Sequence, residues 1–81
     1  MFKDLIEYIA TSLVDQPDQV TVHEVAGEKA TVLELSVAEE DLGKIIGKHG
    51  RTLKSIRSIL FAAGIKANKR VVLELVESGK E

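Results

Sequence analysis

Apolar residues near the N-terminus recur at every third or fourth position, which is the spacing of one face of an α-helix. These residues are Phe2, Leu5, Ile6, Ile9 and Leu13. The pattern stops before Asp15-Gln16-Pro17, and a proline cannot continue a helix. The pattern therefore predicts a first amphipathic helix that ends ahead of this turn.

The next two segments are rich in Val and Thr and predict strands over residues 19–26 and 30–37. A turn at Gly27-Glu28 separates them. In the second segment Leu33, Leu35 and Val37 fall on one face, because side chains alternate across a strand. We expect the two strands to form a hairpin.

Residues 39–46 predict a short helix whose acidic cluster, Glu39-Glu40-Asp41, lies in the first turn and favours the helix dipole. This helix breaks at Gly47. A longer helix follows almost at once. Its predicted core positions are Leu53, Ile56, Leu60 and Ala63, and Arg51, Lys54, Arg57 and Ser58 lie on the opposite side.

Gly64 is expected to end the longer helix. A basic loop over residues 66–70 and a last strand over residues 71–76 follow. Two strands joined by a helical crossover lie parallel, so the last strand is expected to pair beside the second.

The chain has 81 residues, of which 44% are hydrophobic, and this suits one small domain with a single core. We expect that domain over residues 1–77 and a disordered tail over residues 78–81. The absence of cysteine excludes disulfides and the usual structural zinc sites. No apolar run approaches the roughly 20 residues that span a bilayer, and the N-terminus lacks a signal pattern. The sequence therefore predicts a cytoplasmic protein without membrane insertion.

Charge is unevenly distributed along the chain, although the net charge is only −2. Residues 43–73 contain no Asp or Glu, yet they hold eight of the eleven basic residues. These are Lys44, Lys48, Arg51, Lys54, Arg57, Lys66, Lys69 and Arg70. Such a polarised chain is expected to present one electropositive surface to an anionic partner.

The motif Gly47-Lys48-His49-Gly50 lies between the two predicted helices, inside this basic stretch. Two glycines allow a short loop to bring its backbone N–H groups close to a polyanion, and the positive end of the next helix points at the same place. Lys48 and His49 add cationic character. The loop is therefore suited to the backbone of a nucleic acid.

The run Ile46-Gly47-Lys48-His49-Gly50-Arg51-Thr52-Leu53 resembles the Ile-Gly-x-x-Gly-x-x-Ile/Leu signature of KH domains. The order of elements resembles the type II, or prokaryotic, arrangement, and the whole chain is most similar to the small stand-alone bacterial KH proteins of the KhpA type. The resemblance implies an α+β fold in the order helix-strand-strand-helix-helix-strand. Three helices would pack on one face of a three-stranded mixed sheet.

The resemblance also implies a function, which is non-enzymatic binding of single-stranded RNA with low sequence selectivity. In this family the loop grips the backbone of about four nucleotides, whose bases lie in an apolar groove. Gly47 and Gly50 would allow the close approach, Lys48 and His49 would face phosphate, and Ile46 and Leu53 would line the groove or its floor. The full set of predicted RNA-binding residues is Lys44, Ile46, Gly47, Lys48, His49, Gly50, Arg51, Leu53, Lys54 and Arg57.

A role as an RNA chaperone or RNA-level regulator is implied by the resemblance alone. So is a protein partner, commonly a second KH-containing protein, and a homodimer is compatible with the family. No cofactor, metal site or catalytic residue is predicted. The two histidines, His23 and His49, are expected to be a strand-surface residue and a backbone contact, respectively.

Two nucleotide-binding motifs are excluded by spacing. A P-loop needs four residues between its glycines and Ser or Thr after its lysine, whereas Gly43 and Gly47 enclose three residues and Lys48 precedes His49. A dinucleotide-binding loop needs a third glycine, which is missing at the required position after Gly47.

Two other classes of function stay open on the residues alone. A helix-turn-helix DNA-binding domain also places two helices around a glycine-containing turn. A protein-interaction module is suggested by Phe61, which helical geometry places near Lys54 and Arg57 and away from the apolar stripe. We expect Phe61 instead to pack under the first helix or the basic loop, because a small fold has few aromatic residues to fill its core.

Overall fold

A computed structural model describes residues 2–76 of the chain. Its helices are α1 (Phe2–Leu13), α2 (Leu42–Ile46) and α3 (Arg51–Lys66), and its strands are β1 (Thr21–Ala26), β2 (Ala30–Ser36) and β3 (Arg70–Leu75). Short 3₁₀ turns occupy Pro17–Gln19, Glu39–Asp41 and Lys48–Gly50. The expected tail, residues 78–81, lies outside the described residues.

The sheet contains all three strands in the order β1-β2-β3. β1 and β2 are antiparallel, with Val22 opposite Leu35, and β3 runs parallel to β2, with Leu73 beside Leu33. The predicted hairpin and the predicted parallel pairing of the last strand are both confirmed. β3 therefore lies at one edge of the sheet, directly after α3 in the chain.

The core lies between the sheet and the three helices. Its buried members come from every helix and every strand: Ile6, Ala10, Val22, Leu33, Leu35, Val37, Ile45, Ile56, Leu60, Val71 and Leu73. Alternation along the strands places the sheet's share of these side chains on a single face. The α+β fold class, with a mixed three-stranded sheet and three helices on one face, is confirmed.

The first helix uses a slightly different stripe from the predicted one. Ile6 and Ala10 are its fully buried residues, while Phe2, Leu5 and Ile9 pack partly against the core. Leu13 was expected in this stripe, but it is 38% exposed because the helix ends there. Val14, the next residue, packs against the core in its place.

The single helix predicted over residues 39–46 is instead a 3₁₀ turn followed by α2. Asp41 lies at their junction and is 1% exposed, so it is not a surface charge of a helix N-terminus. Its carboxylate accepts hydrogen bonds from the backbone N–H groups of Asp15 and Gln16, at 3.2 and 3.0 Å. Asp41 therefore ties the α1–β1 connection to the start of α2, which the local sequence did not indicate.

The sequence predicted that Gly64 ends α3, but the helix continues to Lys66. The turn to β3 is made by the following residues, with Asn68 at a φ of 61°. A Cβ on Gly64 would lie 2.6 Å from the carbonyl oxygen of Lys69, so the glycine allows the last helical turn to pack against the chain entering β3. This close packing sets the position of β3 beside α3.

Among residues 2–76, the helices are all too short or too polar to span a bilayer.

Candidate nucleic-acid interface

The loop between α2 and α3 has a backbone that L-residues rarely adopt. Gly47 has φ 78° and ψ 171°, a region that is essentially restricted to glycine. Gly50 has φ 72° and ψ 13°, in the left-handed helical region. His49, between them, is also left-handed at φ 58°, and histidine is one of the side chains that tolerate this conformation better than most.

The two glycines of the loop have different surroundings. A Cβ on Gly47 would clash with Thr52, lying 2.6 Å from its Cβ and 2.9 Å from its backbone nitrogen, and closer still to its Oγ1. Gly47 therefore lets the loop fold down onto the first turn of α3. A Cβ on Gly50 would meet nothing within 4 Å, so the space above that residue is open to a ligand.

The N-terminus of α3 faces the same region. Gly50 is the residue that precedes the helix, and no side chain caps the helix there. The uncapped first turn of a helix offers backbone N–H groups and a positive dipole end to an anion. Because α3 has 16 residues, its dipole is fully developed at this end.

A groove lies between α3 and β3. From α3 it is lined by Lys54, Arg57, Ser58 and Phe61, and from β3 by Val71, Val72 and Leu73. The four helical residues follow the i, i+3, i+4, i+7 spacing of one helix face, so the groove runs along the helix away from the loop. Its volume of about 370 Å³ falls in the lower part of the roughly 300–1,000 Å³ range of ligand pockets.

Arg57 is held in this groove by the backbone of the edge strand. Its Nε donates a hydrogen bond of 3.3 Å to the carbonyl oxygen of Leu73. Among the described residues, 2–76, β3 pairs only with β2, so backbone groups on its other side are open to such a partner. The hydrogen bond draws one guanidinium charge across the groove toward β3.

The predicted site residues around the loop are brought together by the fold. Lys48, His49 and Arg51 are exposed at or beside the loop, and Lys54 and Arg57 line the groove further along α3. Ile46 is 38% exposed at the end of α2. Leu53 is half-buried and packs against the core, so its contribution is to the support of the site.

Lys44 is placed differently from the other predicted site residues. Its Nζ lies 3.2 Å from the carboxylate of Asp15 and 3.9 Å from that of Asp41. Both acids come from outside the acid-free stretch, and Asp15 follows α1 in the chain. The charge of Lys44 is therefore already paired with carboxylates, whereas within residues 2–76 the charges that line the groove have no such pair.

The expected packing of Phe61 under the first helix or the basic loop is wrong. Phe61 is 60% exposed and forms part of the groove wall. It was not among the predicted site residues, and neither were Ser58 nor the residues of β3. The helical spacing of Lys54, Arg57 and Phe61 indicated that these residues share one face of α3. That face becomes the wall of a groove only because α3 packs beside β3.

The other basic residues of the acid-free stretch, residues 43–73, lie at or beyond the C-terminal end of α3. Lys66, Lys69 and Arg70 are exposed there. His23 is exposed on β1, as expected for a strand-surface residue. Within residues 2–76, no group of three or more His, Cys, Asp or Glu side chains is arranged to hold a metal ion.

Comparison with known proteins gives consistent results over nearly the whole chain. The model of the KhpA/KhpB KH-domain family matches residues 3–75. The RNA-binding protein KhpA of Clostridium acetobutylicum is 58% identical over 74 residues, which cover 91% of this chain and 99% of that protein. The RNA-binding protein KhpA of Aquifex aeolicus is 52% identical over 75 residues, which cover 93% of this chain and 95% of that protein. The RNA-binding protein KhpA of Borreliella burgdorferi is 49% identical over 74 residues, which cover 91% of this chain and 90% of that protein. No solved structure matched the chain.

Proposed function

Because this chain belongs to the KhpA/KhpB family of KH domains, we propose that it binds single-stranded RNA with the Gly47–Gly50 loop and the groove beside α3. The observation that carries the proposal is the loop itself. A glycine with open space above it lies at the uncapped start of a helix, next to a groove lined by cations and apolar residues.

The proposed mode of binding assigns backbone and bases to different parts of the site. The loop and the first turn of α3 hold phosphates through N–H groups and through the side chains of Lys48, His49 and Arg51. The unpaired bases then enter the end of the groove between α3 and β3 that lies nearest the loop, where Lys54 and Arg57 neutralise further phosphates. Contacts to the backbone carry no sequence information, so selectivity among bases is expected to be low.

The proposed role is binding and not catalysis, in an RNA chaperone or RNA-level regulator of the cytoplasm. A single loop and a short groove hold few nucleotides, so a second KH-containing protein or a second copy of this chain would raise the affinity through avidity. The relatives named above support RNA binding. The helix-turn-helix hypothesis has less support, because such a domain reads duplex DNA with a helix in the major groove and the family match is to a KH domain.

The test is to replace both side chains of the loop by acids, Lys48→Asp together with His49→Asp. Both residues are exposed, so the fold is expected to persist. Like-charge repulsion from phosphates should abolish binding to an unstructured oligoribonucleotide, measured by fluorescence anisotropy. Circular dichroism of the double variant checks the fold.

The matched control is Lys3→Asp with Lys29→Asp, which lowers the net charge by at least as much as the loop variant does, at exposed lysines outside the basic stretch. This control should reduce affinity only slightly. A folded double loop variant that binds RNA as tightly as the unmodified protein would remove the loop from the site. Preference for duplex DNA over the oligoribonucleotide in direct competition would favour the helix-turn-helix hypothesis instead.

A further inference from the structure

Phe61 is a large aromatic side chain that the fold leaves in solvent. The chain contains two Phe, one Tyr and no Trp, so aromatic surface is scarce. Even so, Phe61 is 60% exposed and contributes nothing to the buried core. A single exposed apolar side chain is normal on a protein surface, so the case for a contact site rests on what surrounds Phe61.

The neighbours of Phe61 indicate what kind of partner it contacts. The groove wall also carries Lys54 and Arg57, and Arg57 is held there by its hydrogen bond to the Leu73 carbonyl oxygen. Phenylalanine and arginine are enriched at protein–protein interfaces, but lysine is depleted there, so Lys54 is the neighbour that favours an anionic partner. An aromatic face flanked by cations, opposite the apolar edge strand, suits a base that stacks on the ring while its phosphate pairs with a cation.

Resting on the proposed function, we propose that Phe61 is a base-stacking residue that extends the RNA site along α3, away from the loop. Phe61 follows Gly50 by 11 residues, which is about 16 Å along a helix. The loop is proposed to hold the backbone of the strand itself, so a strand of about four nucleotides extends to both sides of the loop and covers only part of this distance. The stacked base is therefore a later nucleotide than those held at the loop.

The position of Phe61 predicts a dependence on RNA length. A tetranucleotide held at the loop does not reach the ring, whereas an octanucleotide does. Stacking on an aromatic side chain depends on the face that every base has, so the contribution should be similar for different bases. Phe61 therefore adds affinity for longer RNA without adding much selectivity.

The experiment compares Phe61→Ala, Phe61→Leu and Phe61→Trp with the unmodified protein, using fluorescently labelled oligouridine of four and eight nucleotides. Phe61→Ala should weaken octanucleotide binding by about 5- to 150-fold and leave tetranucleotide binding nearly unchanged. Phe61→Leu should behave like Phe61→Ala, because it restores apolar surface without a ring. Phe61→Trp should keep the affinity.

Phe61→Trp also supplies a direct signal of stacking. The chain has no other Trp, so the indole emission reports on this position alone. Binding of octauridylate should quench that emission, and binding of tetrauridylate should not. Ile65→Ala is the matched control, because Ile65 is 63% exposed one turn further along α3 and does not line the groove. Its RNA affinity should be unchanged.

Three results would overturn the stacking role. They are unchanged octanucleotide affinity of Phe61→Ala, full affinity of Phe61→Leu, or a change in oligomeric state of Phe61→Ala at unchanged RNA affinity, which would make Phe61 a protein contact. In each case the loss of binding in the Lys48→Asp, His49→Asp variant would leave the proposed function standing. Failure of the unmodified protein to bind either oligonucleotide would overturn the proposed function itself.

Discussion

Gly47 and Gly50 look equivalent in the sequence, but their backbones and surroundings differ. Gly47 has a conformation that is almost unavailable to other residues, and its missing Cβ makes room for Thr52. Gly50 has a conformation that a few side chains tolerate, with open space above it. Gly47 is therefore needed for the fold of the loop, while Gly50 leaves access for a ligand.

This difference predicts unequal effects of Gly47→Ala and Gly50→Ala. Gly50→Ala should lower the free energy of unfolding by about 1 kcal/mol, the cost of a left-handed alanine. Gly47→Ala should lower it by about 3 kcal/mol or more, because backbone strain and the clash with Thr52 add. Chemical denaturation measures both values.

RNA affinity should separate the two glycine variants in a second way. The Cβ of Gly50→Ala would occupy the space through which phosphate is proposed to approach, so this variant should stay folded and bind more weakly. Equal destabilisation of the two variants, or full RNA affinity of Gly50→Ala, would contradict the distinct roles of the two glycines.

The junction of α3 and β3 is the element pair on which the groove depends. Gly64 lies buried in the last turn of α3, and its carbonyl oxygen accepts a hydrogen bond of 2.7 Å from the N–H of Lys69. The helix and the chain that enters β3 are therefore in backbone contact. This contact brings the edge strand close enough for Arg57 to reach Leu73.

Gly64→Ala is predicted to destabilise the protein although alanine is the better helix former. Helix propensity favours alanine by about 1 kcal/mol. However, the Cβ of the alanine would lie 2.6 Å from the carbonyl oxygen of Lys69, which is a backbone atom, so α3 or the chain entering β3 would have to shift. The net loss in the free energy of unfolding should be about 1–3 kcal/mol.

Gly43→Ala is the matched control for this substitution. Gly43 is also helical, but a Cβ there would meet nothing within 4 Å. This variant should gain about 0.4–1 kcal/mol, chiefly because the unfolded chain loses freedom. Denaturation of both variants gives the comparison, and a stabilised Gly64→Ala protein would show that the α3–β3 contact yields easily.

The whole molecule separates its charges, but the fold divides the basic stretch into parts with different surroundings. Lys48, Arg51 and Lys54 lie at the loop or along the first half of α3. Lys66 follows Gly50 by 16 residues, which places it about 24 Å along the helix. Lys44 has carboxylate partners of its own. Only part of the sequence's positive charge is therefore available to a short RNA.

The dependence of affinity on salt tests this division. A footprint of about four nucleotides should neutralise about two to four phosphates, so log affinity should fall by about 1.4 to 2.8 for each tenfold rise in salt. Lys54→Ala should reduce that slope by under about one unit. Lys66→Ala should reduce it only with longer RNA.

Anisotropy titrations at several salt concentrations, with oligonucleotides of both lengths, give the slopes. A slope near zero would mean that the charge-segregated surface is not the binding surface. The same conclusion would follow if Lys54→Ala and Lys66→Ala reduced the slope for a tetranucleotide equally.

Local pattern in the sequence was sufficient for the order of the elements and for the position of the loop. Helical and strand periodicities are properties of neighbouring residues, and so is the spacing of Gly47 and Gly50. The parallel placement of β3 followed from the general rule for helical crossovers. These features could therefore be predicted before any contact between distant segments was known.

Contacts between distant segments decided the rest, since they depend on how the elements pack. Asp41 is buried because the chain near Asp15 folds back over it, 26 residues away in sequence. The same folding pairs Lys44 with Asp15, and the pairing of β3 with α3 turns a helix stripe into a groove wall that contains Phe61. Charge and periodicity located a basic surface, but burial and pairing between elements decided which of its side chains line the groove.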